Sequence, residues 1–431
     1  MIGLLLAAVL TASAVQQEID RAPAGATIVV SAGVVHGDLV IRRPVHLVGR
    51  GRPLLLGSGK GTVVRIIADG ASLEGFEIDG RGGGDLGEDA SGVFVAAHDV
   101  TVRDCAVRRT LFGIYLREAH GAAVIGCRIR GIRGKDPGEK GSGIHVFDTD
   151  GFRVTDNDIA DVRDGIYIQS SYHGRIDGNH ARDLRYGLHY MFSEDNEFTG
   201  NTFENGDAGT AIMYSRRITF RRNRFVHNRG FASVGLLFKE CDDVVAEDNL
   251  IADNARGIFL EGSYRNVFRR NLVAESDAAI VLFDSSGQNR FEGNSFVANL
   301  TPLTLVGRRS DTVFDGNYWS GNREPDLDGD GRSEAPYALA SLFDHVRENV
   351  VAADLFSGSL AARGLAAAEA SFPVLEPRAV ADRAPLVRPP ALPDVPRGER
   401  RRRGQSVAGM TLSAAMMLCG LWIIGRGSVT S

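Results

Sequence analysis

The strongest constraint on the fold is an asparagine that returns about every 22 residues through the middle of the chain. Its positions are Asn157, Asn179, Asn201, Asn223, Asn249, Asn271, Asn294 and Asn317. Cys105 and Cys127 fill the same slot two repeats earlier, 22 residues apart. On both sides of the slot, short segments alternate apolar with polar residues, which is the pattern of β-strands. A fixed period of this length indicates a stack of equivalent structural units.

The repeat predicts an all-β fold, a right-handed parallel β-helix with coils of about 22 residues. Coils of this kind stack about 4.8 Å apart, so equivalent residues form ladders along the axis. We therefore interpret the asparagines as a structural ladder of buried side-chain amides, in which each amide satisfies its neighbour. For Cys105 and Cys127, two buried thiols are favoured over a disulfide, and a disulfide over a metal site.

The start of the chain lies outside the repeat. Residues 1–14 form an apolar run that ends in Ala12-Ser13-Ala14, so we predict a secretory signal peptide, with a buried N-terminal element as the alternative. The β-helix is expected to occupy residues 15–338. Residues 339–371 carry Ala, Leu and Glu at helical spacing, so we expect a helical segment that caps the open end.

The C-terminal residues have a different composition. Residues 372–403 are rich in Pro and Arg and predict an extended linker, so the folded body should end near Ser371. Residues 404–431 form a hydrophobic tail whose charge-free stretch is just long enough to cross a membrane. The arginines before it would keep that side cytoplasmic, which conflicts with export of the domain. The tail is either a membrane anchor or an interfacial or processed segment.

Composition and motifs exclude several classes of function. The formal net charge is −5, whereas binding to nucleic acid phosphates needs a basic face, so no nucleic acid partner is expected. The sequence contains no P-loop, nucleophile elbow or HExxH motif. Nucleotide chemistry and the common hydrolase nucleophiles therefore have no support, and we assign no catalytic residue.

A candidate copper site appears among the residues predicted to face outward. Met191 and Met213 are the only methionines between residues 15 and 403, and they fall in one outward column on adjacent coils. His189 precedes Met191 by two residues and shares its face. Two thioethers and an imidazole suit Cu(I). His145, two coils away, is a weaker candidate, and the alternative is an exposed apolar strip that binds a protein partner.

A candidate calcium loop lies near the last coil. The stretch Asp326-Leu-Asp328-Gly-Asp330-Gly-Arg332-Ser-Glu334 matches the first half of a calcium-binding loop. The three aspartates, the carbonyl of Arg332 and Glu334 would supply oxygen ligands. Position twelve is Tyr337 and not the usual bidentate glutamate, so a plain Asp/Gly turn remains the alternative.

Several segments resemble one known family. The most specific are Gly187–Ser193 (GLHYMFS) and Ala211–Arg217 (AIMYSRR), followed by Asn228–Gly230, Gly316–Ser320 and Asp326–Tyr337. They resemble the NosD family of nitrous oxide reductase maturation proteins, whose fold is a β-helix of the carbohydrate-binding and sugar-hydrolase type. The likeness runs from about Ala24 to Pro389, and the hydrophobic tail lies outside it.

The resemblance implies a periplasmic accessory protein that helps to assemble the copper-sulfide centre of nitrous oxide reductase and is not an enzyme. Implied partners are the ATPase and membrane subunits of an ABC transporter, a copper chaperone lipoprotein and the reductase itself. The chain would act as a docking scaffold or a copper relay, with membrane attachment through the tail as a further expectation. His189, Met191 and Met213 are carried over as candidate copper ligands.

Two other classes of function compete with this interpretation. One is a secreted polysaccharide lyase, hydrolase or epimerase, or a carbohydrate-binding β-helix, whose nearest candidate carboxylates are Asp164, Glu194 and Asp195. Hydrolysis of this kind needs two carboxylates about 5–10 Å apart on one outward face. The other is a passive adhesin-like module, which would need neither a metal nor a transporter.

Overall fold

The computed structural model describes residues 10–230, 233–307, 309–339 and 380–391, and in it the chain winds into a parallel β-helix. Three sheets run along the solenoid, and a typical coil contributes one short strand to each. We name them sheets A, B and C; within the described residues they contain 14, 15 and 12 strands. The predicted all-β parallel β-helix is confirmed.

The strands are short and repeat in the order that the period predicts. Sheet A contains Leu10–Thr11, Val34–His36, Leu54–Leu56, Glu77–Asp79, Ala106–Arg108, Arg128–Arg130, Asp158–Ala160, His180–Arg182, Thr202–Glu204, Arg224–Val226, Leu250–Ala252, Leu272–Ala274, Ser295–Val297 and Tyr318–Trp319. Sheet B contains Thr27–Ser31, His46–Arg50, Ser72–Glu74, Thr101–Arg103, Ala123–Ile125, Arg153–Thr155, Arg175–Asp177, Glu197–Thr199, Thr219–Arg221, Val245–Glu247, Val267–Arg269, Arg290–Glu292, Val313–Asp315, Tyr337–Ala338 and Ala381–Asp382. Sheet C contains Leu39–Ile41, Val64–Ile66, Ser91–Val95, Phe112–Arg117, Ser142–Phe147, Asp164–Gln169, Tyr186–Met191, Ala208–Arg216, Val234–Asp242, Arg256–Glu261, Ala278–Phe283 and Thr301–Val306.

The core runs along the solenoid axis as stacks of like side chains. On the inner face of sheet C, Ile144, Ile166 and Leu188 are register partners and are fully buried. On the inner face of sheet B, the rings of Phe198 and Phe220 stack with centroids 4.7 Å apart. Because successive side chains of a strand point to opposite faces of its sheet, alternate residues of each strand point away from this core.

The asparagine ladder forms as predicted. Asn157 Nδ2 donates to Asn179 Oδ1 at 2.9 Å, and the same bond recurs at each later step as far as Asn317. The main-chain N–H of Cys127 donates to Asn157 Oδ1, which joins the cysteine slot to the ladder. Cys105 and Cys127 are buried free thiols, in agreement with the favoured interpretation.

One α-helix occurs among the described residues, α1 (Ala12–Arg21), and it covers the N-terminal end. Thr11 caps it, and Val15 and Ile19 are buried against the first coils. The Gln16 amide donates to the carbonyl of Val40 and accepts from its main-chain N–H. It thus pairs the backbone groups that a neighbouring strand would pair at this edge of sheet C. The predicted cleavage position after Ala14 falls in the first turn of this helix, and the signal peptide stays a prediction.

The C-terminal end corrects one expectation. The folded body does not end near Ser371, because Ala381–Asp382 joins sheet B beside Phe314, and Asp382 is fully buried. This segment is held in place because the Asp382 carboxylate accepts hydrogen bonds from Asn317, the last asparagine of the ladder. The proline-rich composition predicted an extended linker, although Ala381–Asp382 within it packs onto the last coil.

Several predicted segments lie outside the described residues. They are residues 340–371 of the expected helical cap, residues 372–379 and 392–403 of the expected linker, and the hydrophobic tail 404–431. Among the residues that the structure describes, none of the helices has the length and apolar character needed to span a bilayer.

Candidate functional site

The outward face of sheet C carries the predicted copper ligands. In strand Tyr186–Met191, Leu188 and Tyr190 point into the core, so His189 and Met191 point outward. Parallel pairing in register turns these outward residues into two columns. The first column is Tyr115, His145, Tyr167, His189 and Ala211, and the second is Phe147, Gln169, Met191, Met213 and Lys239.

Met191 and Met213 lie side by side on adjacent coils. They are direct register partners, so their Cα atoms are about 4.8 Å apart. Both side chains are half-buried. The Tyr167 hydroxyl lies 4.0 Å from Met191 Sδ and donates to Gln169 Oε1 at 2.6 Å. The structure therefore places the two methionines on adjacent coils of one outward face and adds a tyrosine hydroxyl beside Met191.

The His189 imidazole lies next to this methionine pair. Its Nδ1 is 3.2 Å from Asp164 Oδ2, and its ring packs edge-on against the rings of Tyr167 and Tyr186. Its Nε2 is buried and has no hydrogen-bond partner among the described residues. A neutral imidazole that donates from Nδ1 carries its lone pair on Nε2, which is a form that can ligate a metal.

Asp164 is a buried carboxylate that links His189 to two arginines. It accepts hydrogen bonds from Arg185 Nε at 2.8 Å and Nη2 at 2.7 Å, and Arg163 Nε lies 3.4 Å away. Burial alone would raise the pKa of this carboxyl, but hydrogen bonds from His189 and Arg185 outweigh burial and hold the pKa below its ordinary value. Asp164 is thus enclosed by its partners and is badly placed to exchange protons with a substrate.

The other candidate carboxylates of a carbohydrate enzyme are also engaged. Glu194 forms ion pairs with Arg216 and Arg217, and Asp195 accepts two hydrogen bonds of 2.8 Å from Arg217. Hydrogen bonds from these arginines lower the pKa of both carboxyls. Neither carboxyl has the raised pKa that a general acid near neutral pH needs.

His145 is separated from the methionine pair by Tyr167. Its ring is packed between Tyr115 and Tyr167, with centroid distances of 4.2 and 4.5 Å. Burial, together with the charges of Arg163 and Arg117, lowers the pKa of His145 to about 3. The structure therefore makes His145 part of an aromatic stack and does not bring it to the methionines.

An exposed aromatic pair, Phe192 and Tyr214, lies beside the methionines and was not predicted from the sequence. Each follows one of the two methionines, and their rings stack with centroids 5.2 Å apart and an interplanar angle of 10°. The side chains are 48% and 40% exposed. Both residues have a left-handed backbone, with φ of 49° and 53°. Other coils fill this turn position with Asp148, Ser170, Glu240 or Gly262.

Large aromatic residues are unfavourable at this left-handed backbone position. A left-handed φ is unfavourable for a bulky side chain, and the rings gain little burial in return. Residues that break a local rule without a structural gain are expected at functional sites. The signal was present in the sequence: Phe and Tyr occupy a turn slot that elsewhere holds small or acidic residues.

The aromatic pair forms one wall of a shallow groove of about 380 Å³. The groove adjoins the methionine pair, because Phe192 and Tyr214 directly follow Met191 and Met213 in the chain. Its lining combines aromatic rings, carboxylates and one guanidinium: Tyr172, Phe192, Ser193, Glu194, Tyr214, Ser215, Arg216, Glu240 and Asp242. Such a mixed surface suits contact with a protein partner.

The predicted calcium loop is only partly assembled around one point. Carboxylate oxygens of Asp326, Asp328 and Glu334 lie within 4.8 Å of one another. Glu334 Oε1 accepts hydrogen bonds from the main-chain N–H groups of Leu327 and Asp328. Asp330 is not part of this cluster and accepts a hydrogen bond from the main-chain N–H of Arg332 at 2.7 Å. Calcium binding stays a prediction.

Comparison with known folds places the chain among the β-helix proteins. The A-module of mannuronan C-5 epimerase AlgE6 from Azotobacter vinelandii aligns with a TM-score of 0.59 at 15% identity, over 70% of this chain and 94% of that chain. A family 28 exopolygalacturonase from Yersinia enterocolitica aligns with a TM-score of 0.55 at 12% identity, over 73% and 76% of the two chains. At these identities the likeness shows a shared fold and no shared chemistry.

Comparison of sequences is more specific. Residues 130–324 match the family described as "Periplasmic copper-binding protein (NosD)". A probable ABC transporter binding protein NosD of Pseudomonas aeruginosa is 37% identical over 380 residues, which cover 84% of this chain and 88% of that protein. The protein of the same name from Stutzerimonas stutzeri is 35% identical over 379 residues, 83% and 86% of the two chains. By this extended similarity, the chain belongs to the NosD family.

Proposed function

We propose that this chain is a periplasmic accessory protein in the maturation of the copper-sulfide centre of nitrous oxide reductase. It acts without enzymatic activity, as a docking scaffold or a copper relay on an ABC transporter. The names of its relatives support a periplasmic, transporter-associated role: they are probable ABC transporter binding proteins in a family described as periplasmic and copper-binding.

One observation carries the proposal for the site itself. Met191 and Met213 are register partners on adjacent coils, and His189 shares their outward face. Thioether sulfur is a soft ligand that prefers Cu(I), and imidazole nitrogen completes a three-coordinate set. Copper is a cargo in this account: the chain holds it for transfer and does not use it for chemistry.

Docking would use the groove beside the methionines. Phe192 and Tyr214 offer stacked aromatic faces of the kind that dominate protein interfaces. We propose that the membrane subunit of the transporter, whose ATPase subunit supplies the energy, docks here. A copper chaperone lipoprotein would deliver copper to the methionine pair, and the reductase would receive it.

The proposed location follows from these partners. We propose that the chain is exported by the predicted signal peptide at residues 1–14 and works at the periplasmic face of the inner membrane. The hydrophobic tail 404–431 would hold it there.

The proposal is tested in a denitrifying cell that carries variants of this chain. Met191→Leu/Met213→Leu removes both sulfurs and keeps apolar volume, and Phe283→Leu, in the same outward column, is the matched control. Copper content and the copper-sulfide absorption of purified reductase are measured. Loss in the double variant alone supports a relay, whereas full reductase maturation in that variant contradicts it.

The scaffold role has its own test. Phe192→Asn/Tyr214→Asn removes the aromatic wall, and Tyr264→Asn removes another exposed aromatic side chain that lies outside the groove lining. Copurification of the transporter subunits with each variant is measured. Loss of the transporter from the first variant and retention in the second is the expected result. Retention in both would rule out docking at this groove.

A further inference from the structure

A buried polar atom lacks a partner on the strand that carries Met191: it is the Nε2 of His189. His189 Nε2 is enclosed, yet no described residue offers it a hydrogen bond. Buried polar groups are nearly always paired, so such an atom points to a ligand. The other ring nitrogen, Nδ1, faces Asp164 Oδ2 at 3.2 Å. The inference that follows rests on the copper function proposed above.

We propose that Asp164 is the positioning residue of the copper site: it fixes His189 as the Nδ1–H tautomer and thereby holds the Nε2 lone pair ready for Cu(I) beside Met191 and Met213.

The ion pairs of Asp164 determine which atom carries the proton. Arg185 donates to both carboxylate oxygens, at 2.8 and 2.7 Å, and Arg163 approaches Oδ2 at 3.4 Å. A carboxylate between two guanidinium groups is ionised and can only accept hydrogen bonds. The hydrogen in the contact with His189 must therefore lie on Nδ1. In the neutral ring, Nε2 is then the free acceptor.

The surrounding rings fix the orientation of the imidazole. Tyr167 packs against it edge-on at 4.7 Å and 84°, and Tyr186 does so at 5.3 Å and 80°. Arg185 lies over the Tyr186 ring at 4.3 Å, so the guanidinium that holds Asp164 also supports this wall. The imidazole has little freedom to turn its Nδ1 outward. Pairing with a carboxylate in this way is the common arrangement of a metal-ligating histidine.

His189 and Met191 lie on the same strand face, two residues apart, and so about 7 Å apart along the strand. A soft cation held by the two sulfurs would be a partner for the orphaned Nε2. Among the described residues of this face, His145 also has an imidazole nitrogen without a hydrogen-bond partner. Tyr167 stands between His145 and the methionines, so His145 is not in a position to share their cation.

The first test reads the tautomer directly and needs no copper. The full chain is labelled with ¹⁵N-histidine, and the His189 signals are assigned by their loss in His189→Gln. We expect the chemical shifts of a Nδ1–H, Nε2-unprotonated ring. An Nε2–H ring in the wild-type protein would overturn the proposal, whatever the copper result.

The second test measures Cu(I) affinity under anaerobic conditions against a competing chelator. In Asp164→Asn, an NH2 group replaces one of the two acceptor oxygens and the negative charge is lost, so the Nδ1–H tautomer is no longer fixed. We expect Cu(I) to bind about 10- to 100-fold more weakly. The double variant Asp164→Asn/His189→Gln should bind no more weakly than His189→Gln alone, because Asp164 acts through His189.

The matched control is Asp79→Asn. Asp79 is equally buried and is held by Arg109 and Arg108 at 2.6 to 2.9 Å, but it lies in sheet A and contacts no histidine. Its variant should keep wild-type affinity. Unchanged affinity in Asp164→Asn would overturn the positioning role alone, whereas a wild-type protein that binds no Cu(I) would overturn the proposed function together with it. If Asp164→Asn does not fold, the tautomer of the wild-type protein still decides.

Discussion

Asp382 completes the asparagine ladder 65 residues after its last asparagine, Asn317. One carboxylate oxygen accepts hydrogen bonds from Asn317 Nδ2 at 2.9 Å, from its main-chain N–H at 2.9 Å and from Trp319 Nε1 at 3.0 Å. The segment around Asp382 thus occupies the place of a further coil. Without Asp382, the donors of Asn317 and Trp319 would be buried and unpaired at the end of the ladder. The Asp382 carboxylate supplies the acceptor that they need.

Removing this acceptor should destabilise the C-terminal coils. Asp382→Ala leaves four buried donors without this acceptor, because the main-chain N–H of Gly316 also donates to the carboxylate. We expect a loss of at least about 2 kcal/mol in the free energy of unfolding. Urea denaturation measures the loss, and hydrogen exchange at Asn317 shows where it acts. Asp382→Asn is the control, because its amide oxygen can accept as every earlier asparagine does. Equal stability of Asp382→Ala and wild type would show that the ladder ends elsewhere.

The contrast between Asn317 and Asp382 shows how far a sequence period can predict this fold. Asn317 was predictable because its spacing continues the period, and each ladder position reports on its neighbours. Asp382 was not, because residues 340–379 intervene and a different residue type fills the slot. Periodicity predicts contacts between adjacent coils, but it carries no information about a segment that returns after a long insertion.

The candidate site shows the same limit. Period-2 alternation placed His189, Met191 and Met213 on one outward face, as the structure confirms. It did not predict the contact between Asp164 and His189. The chain has many carboxylates and many arginines, and the alternation does not indicate which of them pair with each other or with a histidine. Phe192 was not predicted as a site residue, because its positive φ is a property of the backbone that the hydrophobic pattern does not indicate.

Replacing the exposed aromatic pair should not cost stability. Asparagine tolerates a left-handed backbone, so Phe192→Asn and Tyr214→Asn relieve strain while losing one stacking contact. We expect each change to alter the free energy of unfolding by less than about 1 kcal/mol. Phe198→Asn, within the core stack, is the contrasting variant and should unfold the protein. A loss above about 2 kcal/mol in the turn variants would mean that these rings serve the fold.

His145 should make stability depend on pH. Its pKa falls from 6.5 to about 3 on folding, because burial disfavours the charged ring. Between these values the unfolded chain binds a proton that the native state does not, so stability decreases as pH falls through this window. The slope is at most about 1.4 kcal/mol per pH unit.

The measurement is urea unfolding at several pH values between 7 and 4. His145→Phe keeps a ring in the stack and cannot titrate, so its stability should fall less steeply with acid than that of the wild-type protein. Other titrating groups are shared by the two proteins and cancel in the comparison. Parallel curves would show that His145 is protonated in the folded chain.

Calcium is expected to stabilise the turn at Asp326–Glu334. Binding to the folded state alone raises the free energy of unfolding by about 1.4 kcal/mol when free calcium is tenfold above Kd. Thermal unfolding with calcium and with chelator measures this shift. Asp326→Asn/Asp328→Asn should abolish the shift, because both residues belong to the carboxylate cluster. An identical unfolding temperature with and without calcium would leave a plain Asp/Gly turn.

In the proposed function, the outward methionine pair of sheet C binds Cu(I). The most direct measurement is an anaerobic Cu(I) titration of the purified protein against a competing chelator, with wild type and Met191→Leu/Met213→Leu compared. We expect one Cu(I) per wild-type chain and loss of that binding in the double variant, since leucine keeps the volume and removes the sulfur. Equal binding by both proteins, or binding by neither, would contradict a copper site at this methionine pair.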